Sequence, residues 1–305
     1  MDKILITGAT GFIGSYLTKY FIKKGYQIIA HGSSESSINI MKQNLENDDM
    51  RLNNVEFWSQ NFLDQKWIFP NFSKIDYIIH TAAATKIREG ILENYDKYFK
   101  LNAEATKNIA RKALDNKIKH FIHFSSGQIF GIPPSFPFTE STPKNPINVY
   151  GFTKLMSEIV IRSFGSLGLN YSIARPFSVY GVGQNNVISI IKDKIVNDEF
   201  LTIYGDGTQS RAFTHVNDIC EAIGIILNNS ECFGGEFNLS GTKEYSINKL
   251  VKLISKKLNK EPKIIKKDSN VNELKRNIAD IRKIKKLGFN YKETLEEFIE
   301  NEMIL

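Results

Sequence analysis

The sequence contains few cysteines and no long apolar run. Two cysteines stand among 305 residues, so the chain has no disulfide framework, a composition typical of a reducing compartment. The sequence contains no apolar stretch of about 18 residues, the length that a membrane-spanning helix needs. Charges at Asp2 and Lys3 precede a strand-like run, unlike the start of a signal peptide. These absences lead us to expect a cytoplasmic protein with no membrane partner.

The sequence also lacks metal-site spacing and nucleic-acid motifs. Five histidines and two cysteines occur, but none stands at the His/Cys/Asp spacing of a metal site. Between Lys249 and Lys292, fifteen Lys or Arg residues stand against four Asp or Glu, in a chain of net charge +7. These basic residues are spread over helical faces without interleaved aromatic residues. We therefore interpret them as a solvated surface and expect neither a metal nor a nucleic-acid partner.

The first half of the chain alternates between strand and helix patterns. The runs KILITG and YQIIAHG read as the first two strands, and a helix to about Lys24 lies between them. Later strands are predicted at VEFWSQNF, IDYIIHTAA, KHFIHFSS and NYSIARPFSVYG. Such alternation predicts an α/β fold of the Rossmann type, a doubly wound parallel sheet that binds ligands at the carboxyl ends of its strands.

After about Phe177 the rhythm changes to shorter strands mixed with helices. No repeat, low-complexity tract or linker separates the two parts. We expect a dinucleotide-binding domain over residues 1–176, joined by part of 213–240. Residues 177–305 are expected to form mainly a smaller α/β domain that binds the substrate.

The run ITGATGFIGSYL places three glycines between a strand and a helix. Gly8 permits a tight turn, Gly11 lets the backbone approach a diphosphate, and Gly14 permits close packing of the helix on the sheet. The diphosphate then meets the positive end of the helix. Because the triplet stands in the required strand–turn–helix context, it predicts dinucleotide binding.

Tyr150 and Lys154 stand four residues apart in NVYGFTKLMSE, which predicts that they share one face of a helix. A lysine charge about 5 Å from a phenol, at an effective dielectric of about 20, favours the phenolate by roughly 3 kcal/mol. This energy corresponds to about two pKa units, so we expect the pKa of Tyr150 near 7 to 8. A phenol with that pKa can exchange a proton with a hydroxyl group near neutral pH.

The glycine loop and the Tyr-x-x-x-Lys pair together resemble the motifs of the extended short-chain dehydrogenase/reductases. Within that family, they resemble those of the nucleotide-sugar epimerase/dehydratase branch. The resemblance covers almost the whole chain. It extends through HTAA, FSSGQIFG, RPFSVYGVGQ and YGDGTQSRAFTHVND to the ending DIRKIKKLGFNYKETLEEFI. It implies a nucleotide-diphosphate sugar as substrate, and we expect a homodimer.

The resemblance also implies residue roles. Tyr150 is the acid/base, Lys154 lowers its pKa and binds the nicotinamide ribose, and Ser126 hydrogen-bonds the sugar oxygen. Arg211 resembles the arginine that binds the substrate diphosphate. Implied cofactor contacts are Gly8, Thr10, Gly11, Phe12, Ile13, Gly14, Gly32, Ser33, Ser34, Asn61, Phe62, Thr81, Ala82, Ala83, Tyr150, Lys154 and Pro176. Implied substrate contacts are Thr85, Ser126, Gly127, Gln128, Ser178 and Arg211. We interpret the histidines as structural, with His31 in a loop and His80 near the cofactor mainly through its backbone.

Departures from the family pattern narrow the expected reaction. Members that dehydrate sugars carry Asp-Glu where this chain has Gly127 and Gln128, so we expect no dehydratase. NAD-preferring members end the second strand with an acid, whereas this chain has Gly32 followed by two serines, which favours NADP. Phe130 and Ser178 replace a Tyr and an Asn of the sugar pocket, so the sequence does not identify the sugar.

These features favour a reductase of the 4-keto group of a nucleotide-activated sugar. A 4-epimerase is the alternative, followed by a 4-dehydrogenase, because all three share Ser126, Tyr150 and Lys154. From a different class, a non-catalytic dinucleotide-binding regulator remains open, although the presence of both Tyr150 and Lys154 argues against it.

Overall fold

The structure is a computed structural model that describes residues 1–85, 94–268 and 274–303. In these ranges the strands in chain order are β1 (Lys3–Thr7), β2 (Gln27–Gly32), β3 (Val55–Ser59), β4 (Tyr77–His80), β5 (His120–Phe124), β6 (Tyr171–Pro176), β7 (Val179–Tyr180), β8 (Phe200–Tyr204), β9 (Ser210–Ala212), β10 (Thr214–His215), β11 (Gly235–Leu239), β12 (Glu244–Ser246), β13 (Lys263–Lys267) and β14 (Arg276–Asn277).

The α-helices of the described residues are also numbered in chain order. They are α1 (Phe12–Lys23), α2 (Glu35–Asn47), α3 (Tyr95–Phe99), α4 (Ala105–Asp115), α5 (Val149–Gly165), α6 (Val187–Val196), α7 (Val216–Leu227), α8 (Ile247–Leu258), α9 (Arg282–Lys285) and α10 (Leu295–Asn301). None of the helices in the described part of the chain is long and apolar enough to cross a membrane.

A seven-stranded sheet, within the described residues, has the order β11-β6-β5-β4-β1-β2-β3. The pairings from β3 across to β6 are parallel. Its central strands are apolar on both faces, as in β1, where Leu5 and Ile6 are fully buried, because helices cover both sides. The predicted doubly wound parallel sheet is confirmed.

The chain divides into two compact units. The first unit comprises Met1–Gly131, Pro143–Arg175 and Ala222–Phe237. Its core joins Leu5, Ile78, Phe121 and Ile173 of the sheet to the apolar faces of α4 and α5. The second unit comprises Ile132–Thr142, Pro176–Glu221 and Asn238–Leu305, as far as these ranges are described.

The second unit has a core of its own. Ile191 of α6, Leu250 and Ile254 of α8 and Phe298 of α10 pack together in it. Short strands complete this unit, with β7 beside β10, β8 beside β13, and β9 between β12 and β14. The strands and helices expected after the change of rhythm at Phe177 are therefore present.

Candidate active site

The glycine loop runs from the end of β1 into α1. Gly8 has a φ of +72°, a conformation that favours glycine. A Cβ atom added to Gly14 would lie 2.1 Å from the carbonyl oxygen of Gly8, so only glycine lets α1 approach the turn this closely. Gly11 is the N-cap of α1 and supplies no side-chain cap. The first N–H groups of the helix are therefore suited to bind a phosphate.

His31 holds this loop in place. Its Nδ1 accepts a hydrogen bond from the Gly8 N–H at 3.0 Å, and its Nε2 donates to the Gln60 carbonyl at 2.9 Å. The ring stacks on Phe62 with centroids 4.3 Å apart. Burial lowers the pKa of His31 to about 4, so the ring stays neutral at neutral pH. His31 lies on β2, and its expected loop position was wrong.

The end of β2 leads directly into α2. Gly32 is buried, and Ser33 is exposed. Ser34 is the N-cap of α2: its hydroxyl accepts from the Ser37 N–H at 3.2 Å, and the Ser37 hydroxyl accepts from the Ser34 N–H at 3.3 Å. The hydroxyl of Ser34 thus forms a hydrogen bond within the helix, whereas Ser33 is an exposed residue before it.

The residues after β3 and β4 border the same edge of the sheet. Phe62 is buried behind His31, and the side chain of Asn61 accepts from the Leu63 N–H at 3.0 Å. The Thr81 hydroxyl donates to the Thr7 carbonyl at 2.7 Å. Ala82 and Ala83 are half-buried, and Thr85 is exposed.

Asn102 connects the segment after β4 to helix α5. Its Oδ1 accepts from the Ala84 N–H at 2.8 Å, and its Nδ2 donates to the Ala84 carbonyl at 3.1 Å and to the Thr153 hydroxyl at 2.9 Å. Asn102 lies in a π-helical turn (Lys100–Glu104), a feature often found at functional sites. Sequence reasoning missed this residue, because its partners Ala84 and Thr153 lie 18 and 51 positions away.

Ser126 and Tyr150 meet in the first unit. Tyr150 is the second residue of α5, which begins after Asn148, whose side chain accepts from the Gly151 N–H at 2.8 Å. Ser126 follows β5, is buried, and hydrogen-bonds the hydroxyl of Tyr150. Lys154 lies one turn further along α5 and is 2% exposed. The structure therefore brings the predicted pair Ser126 and Tyr150 together and buries Lys154 on the same helix.

Burial controls the electrostatics of this trio. It raises the pKa of Tyr150, although the hydrogen bond from Ser126 opposes the shift. It lowers the pKa of Lys154 to about 7, and the nearby charge of Glu158 opposes that shift. For the protein's own groups, the expected lowering of the Tyr150 pKa to 7–8 was therefore wrong, because burial of the phenol is the largest effect on its pKa and raises it.

Two buried histidines lie under Lys154. His80 Nδ1 is 2.6 Å from the Thr7 hydroxyl, and His80 Nε2 is 3.0 Å from the Thr106 hydroxyl. His123 Nε2 is 2.8 Å from the Ser157 hydroxyl, and the two imidazole rings are 5.6 Å apart. Burial holds the pKa of both rings well below the usual value. His80 bonds through its ring to Thr7 on the strand that precedes the glycine loop, whereas its expected backbone approach to the cofactor stays a prediction.

Gly127 and Gln128 follow Ser126 in a short 3-10 helix (Gly127–Phe130). The Gln128 N–H donates to the Ser126 hydroxyl at 3.2 Å, and the Gln128 Oε1 accepts from Asn148 Nδ2 at 3.2 Å. Neither side chain can exchange a proton near neutral pH. At these two positions the site therefore has no acid or base.

The other predicted substrate residues lie in the second unit. Ser178 has a φ of +39°, uncommon for a residue other than glycine, and its carbonyl accepts from the Thr214 N–H at 3.2 Å. Arg211 lies on β9, where its Nη1 donates to the carbonyls of Ser210 and Leu274 at 2.9 and 2.8 Å. Pro176 is the last residue of β6 and is half-buried.

Several known proteins that are similar to this chain over most of its length are named as 4-epimerases of UDP-sugars. A putative UDP-glucose 4-epimerase of Methanocaldococcus jannaschii is 31% identical over 308 residues, covering 97% of this chain and 95% of that protein. A UDP-glucuronate 4-epimerase of Thermodesulfobacterium geofontis is 30% identical, covering 94% of this chain and 90% of its own. The structure of the UDP-glucuronic acid 4-epimerase of Bacillus cereus, in complex with UDP-glucuronic acid and NAD, superimposes with a TM-score of 0.88 at 26% identity, covering 98% and 97% of the two chains.

Residues 4–240 match the model of the NAD-dependent epimerase/dehydratase family. The match contains the glycine loop, Ser126, Tyr150 and Lys154. It runs from Ile4 in β1 to Ser240, directly after β11, and so reaches every strand of the seven-stranded sheet. The chain therefore belongs to the NAD-dependent epimerase/dehydratase family and is an enzyme of the extended short-chain dehydrogenase/reductase type.

Proposed function

We propose that this enzyme is a 4-epimerase of a UDP-activated sugar and works with a tightly held nicotinamide dinucleotide. The observation that carries the proposal is the hydrogen bond between Ser126 and Tyr150, beside a buried Lys154, in a chain of this family. Relatives named as 4-epimerases support the alternative among the sequence interpretations over the 4-keto reductase. The reductase stays a prediction that the assay below separates from epimerisation.

The chain's own residues fit a dinucleotide at the glycine loop. A Cβ at Gly14 would fill the turn, and α1 begins at Gly11 without a side-chain cap, so a diphosphate can accept hydrogen bonds from the helix N–H groups. A bound nicotinamide would supply the redox chemistry, which is reversible hydride transfer.

Proton transfer falls to Tyr150. Tyr150 would take the proton of the 4-hydroxyl when carbon 4 is oxidised to the ketone, and it would give a proton back to that oxygen when the ketone is reduced on its opposite face. Ser126 orients the phenol and the sugar oxygen. Because burial raises the pKa of Tyr150, its phenolate depends on positive charge nearby, which Lys154 supplies when protonated. The oxidation and the reduction of carbon 4 would cancel within one turnover, so epimerisation consumes no cofactor.

The test incubates the purified enzyme with UDP-sugars that differ at carbon 4 and follows both the sugar and the cofactor. Epimerisation predicts interconversion of the 4-epimers with no net change in nicotinamide absorbance at 340 nm. Stoichiometric consumption of NADPH with a 4-keto sugar, and no interconversion of epimers, would establish the reductase instead.

The enzyme is expected to form no dehydrated product from nucleotide sugars with an intact 6-hydroxyl. Elimination needs a base at carbon 5 and an acid for the departing hydroxyl, and Gly127 and Gln128 supply neither. Mass spectrometry of each incubation measures a loss of about 18 Da, the mass of the water that elimination releases. A 4-keto-6-deoxy sugar formed at a catalytic rate would show that another residue supplies the acid and base.

We propose that the end of β2 favours NADP over NAD, because it lacks a carboxylate. The solved structures of relatives contain NAD, so the dissociation constants of both cofactors decide the question. A Cβ at Gly32 would lie 2.7–2.9 Å from Thr10, Ser37 and Ile38, so Ser33 is the better position for a test. Ser33→Asp is expected to weaken NADP about tenfold relative to NAD, an effect of roughly 1.4 kcal/mol.

Ser33→Asn is the matched control, since it changes the size of the side chain in the same way without adding a charge. It is expected to leave the ratio of the two dissociation constants within about twofold. A parent enzyme that binds NAD more tightly than NADP would refute the proposed preference.

We also propose that the first unit binds the dinucleotide and that the second binds most of the nucleotide sugar, through Ser178 and Arg211.

Phe152 and Ile159 lie on one face of α5 and are 41% and 56% exposed. A second copy of the chain that covers this face would form a homodimer. Light scattering in solution measures the mass, and the mass of a single chain would refute the dimer.

A further inference from the structure

A buried ionic cluster lies directly beyond the acid–base pair on helix α5. Glu158 follows Lys154 by four residues, and its side chain is fully buried. Arg175 on β6 is also fully buried and donates two hydrogen bonds to Glu158, from Nε to Oε1 and from Nη2 to Oε2, both at 2.8 Å. Arg162 Nη2 donates to the same Oε2 at 2.6 Å. The carboxylate of Glu158 is therefore fixed by two guanidinium groups.

Glu236 on β11 completes the cluster. Its Oε1 accepts from Nε and Nη2 of Arg162 at 2.9 and 2.6 Å, and its Oε2 accepts from Arg175. Two carboxylates thus face two guanidinium groups, and the half-buried Lys144 lies 3.8 Å from Glu236. Both carboxylates bind the same two arginines, so both contribute to the packing of β6 against α5. They differ in position, because Glu158 shares a helix face with Lys154 and Glu236 does not.

Lys154 is enclosed by groups that do little to hold its charge. His80 and His123 approach from β4 and β5, and both rings are neutral at physiological pH. Tyr150 lies one turn earlier on the same helix. Burial alone disfavours the ammonium form, and Glu158 is the neighbour whose charge raises the pKa of Lys154, which nevertheless falls to about 7. The ammonium and amine forms of Lys154 therefore have similar populations near neutral pH.

We propose that Glu158 is a positioning residue of the reaction: Arg175 and Arg162 hold its carboxylate where it keeps the buried ammonium of Lys154 charged beside Tyr150. This role rests on the proposed function, in which the Lys154 charge favours the phenolate of Tyr150. Glu158 touches neither the substrate nor the cofactor in this role, since it acts through Lys154. In this role the ionic cluster both packs β6 against α5 and favours the protonated form of Lys154.

The sign of the effect follows from Coulomb's law. Across one helical turn of about 6 Å, at an effective dielectric of about 20, one unit charge moves a neighbour's pKa by about two units. Partial neutralisation by the two arginines reduces the shift, and we expect about one unit. Loss of the carboxylate lowers the pKa of Lys154, so activity that needs the ammonium is lost at a lower pH.

The experiment compares Glu158→Gln with Glu236→Gln, which removes the same charge from the same cluster at the other carboxylate. The alkaline limb of the pH profile of kcat is expected to move down by about one pH unit in Glu158→Gln and to stay in place in Glu236→Gln. A purely structural role predicts that both variants lose thermal stability and that neither moves the limb. That outcome, or an equal movement in both variants, would overturn the proposal.

A second readout separates this proposal from the proposed function. With lysine labelled with carbon-13 at Cε, NMR titration gives the pKa of Lys154 directly, and a Lys154→Arg variant assigns its signal. A downward shift in Glu158→Gln supports the proposal even if the enzyme does not epimerise any sugar tested, and an unchanged signal overturns it. If Glu158→Gln does not fold, Arg162→Gln at the cluster's outer side is expected to raise the pKa of Lys154, and a fall would contradict the proposal.

Discussion

Tyr150→Phe is expected to reduce kcat for 4-epimerisation by about 10²–10⁴-fold, the usual contribution of an acid–base group. The phenol hydroxyl is the atom that receives the hydrogen bond of Ser126 and exchanges the proton of the sugar. The ring, in contrast, keeps its packing in the variant, so the glycine loop and its surroundings are unchanged. The dissociation constant of the dinucleotide is therefore expected to stay within about threefold, and both quantities are measured on the same preparation.

Tyr171→Phe provides a matched control for that variant. Tyr171 is half-buried and lies at the start of β6, where it pairs with Phe121 near the start of β5, whereas Ser126 follows the opposite end of β5. Its kcat is expected to remain within about threefold of the parent. If Tyr150→Phe retains activity in that same range, the assignment of Tyr150 as the acid–base group is wrong.

The fold was accessible from sequence because its signals are local. The apolar runs that became β1 to β6 stand between helix patterns, and this alternation has few solutions other than a doubly wound parallel sheet. The turn at Gly8 and the close approach at Gly14 follow from residue type and spacing alone. Ser126 and Tyr150 were predicted by resemblance, and the structure brings them together across 24 positions of sequence.

Other parts of the site depend on distant contacts that no local pattern encodes. Asn102 binds Ala84 and Thr153, which are 18 and 51 positions away, from inside a π-helical turn. His31 reaches the glycine loop only because β2 pairs beside β1 in one register. An Asn before a helical pattern and a His at a strand end each have commoner explanations, a helix cap and a packed core residue.

The pKa prediction failed for a related reason. The spacing of Tyr150 and Lys154 gives their mutual attraction, but it says nothing of the layers packed around them. In the structure, desolvation is the largest effect on the pKa of each group: it raises the pKa of Tyr150 and lowers that of Lys154. A correct sequence-based pKa would have required knowing in advance how deeply both groups are buried.

Gly14→Ala is expected to abolish tight dinucleotide binding and to destabilise the fold. The new Cβ would lie 2.1 Å from the Gly8 carbonyl oxygen, 2.7 Å from its carbonyl carbon and 2.8 Å from the Ala9 Cα. These are backbone atoms, so no side chain can move aside, and α1 must shift away from the turn that binds the diphosphate. Overpacking of this kind costs about 1–3 kcal/mol, and the melting temperature and the dinucleotide dissociation constant measure its two consequences.

Gly11→Ala separates the two consequences, because its Cβ would lie 3.2 Å from the nearest atom, the Gly8 carbonyl oxygen, on an exposed residue. A small movement relieves that contact, so the melting temperature is expected to change little. The methyl group nevertheless lies at the start of α1, where the diphosphate must approach the backbone N–H groups. We therefore expect the affinity for the dinucleotide to fall at least tenfold, or about 1.4 kcal/mol. If both variants bind the dinucleotide as tightly as the parent, the glycine loop is not its binding site.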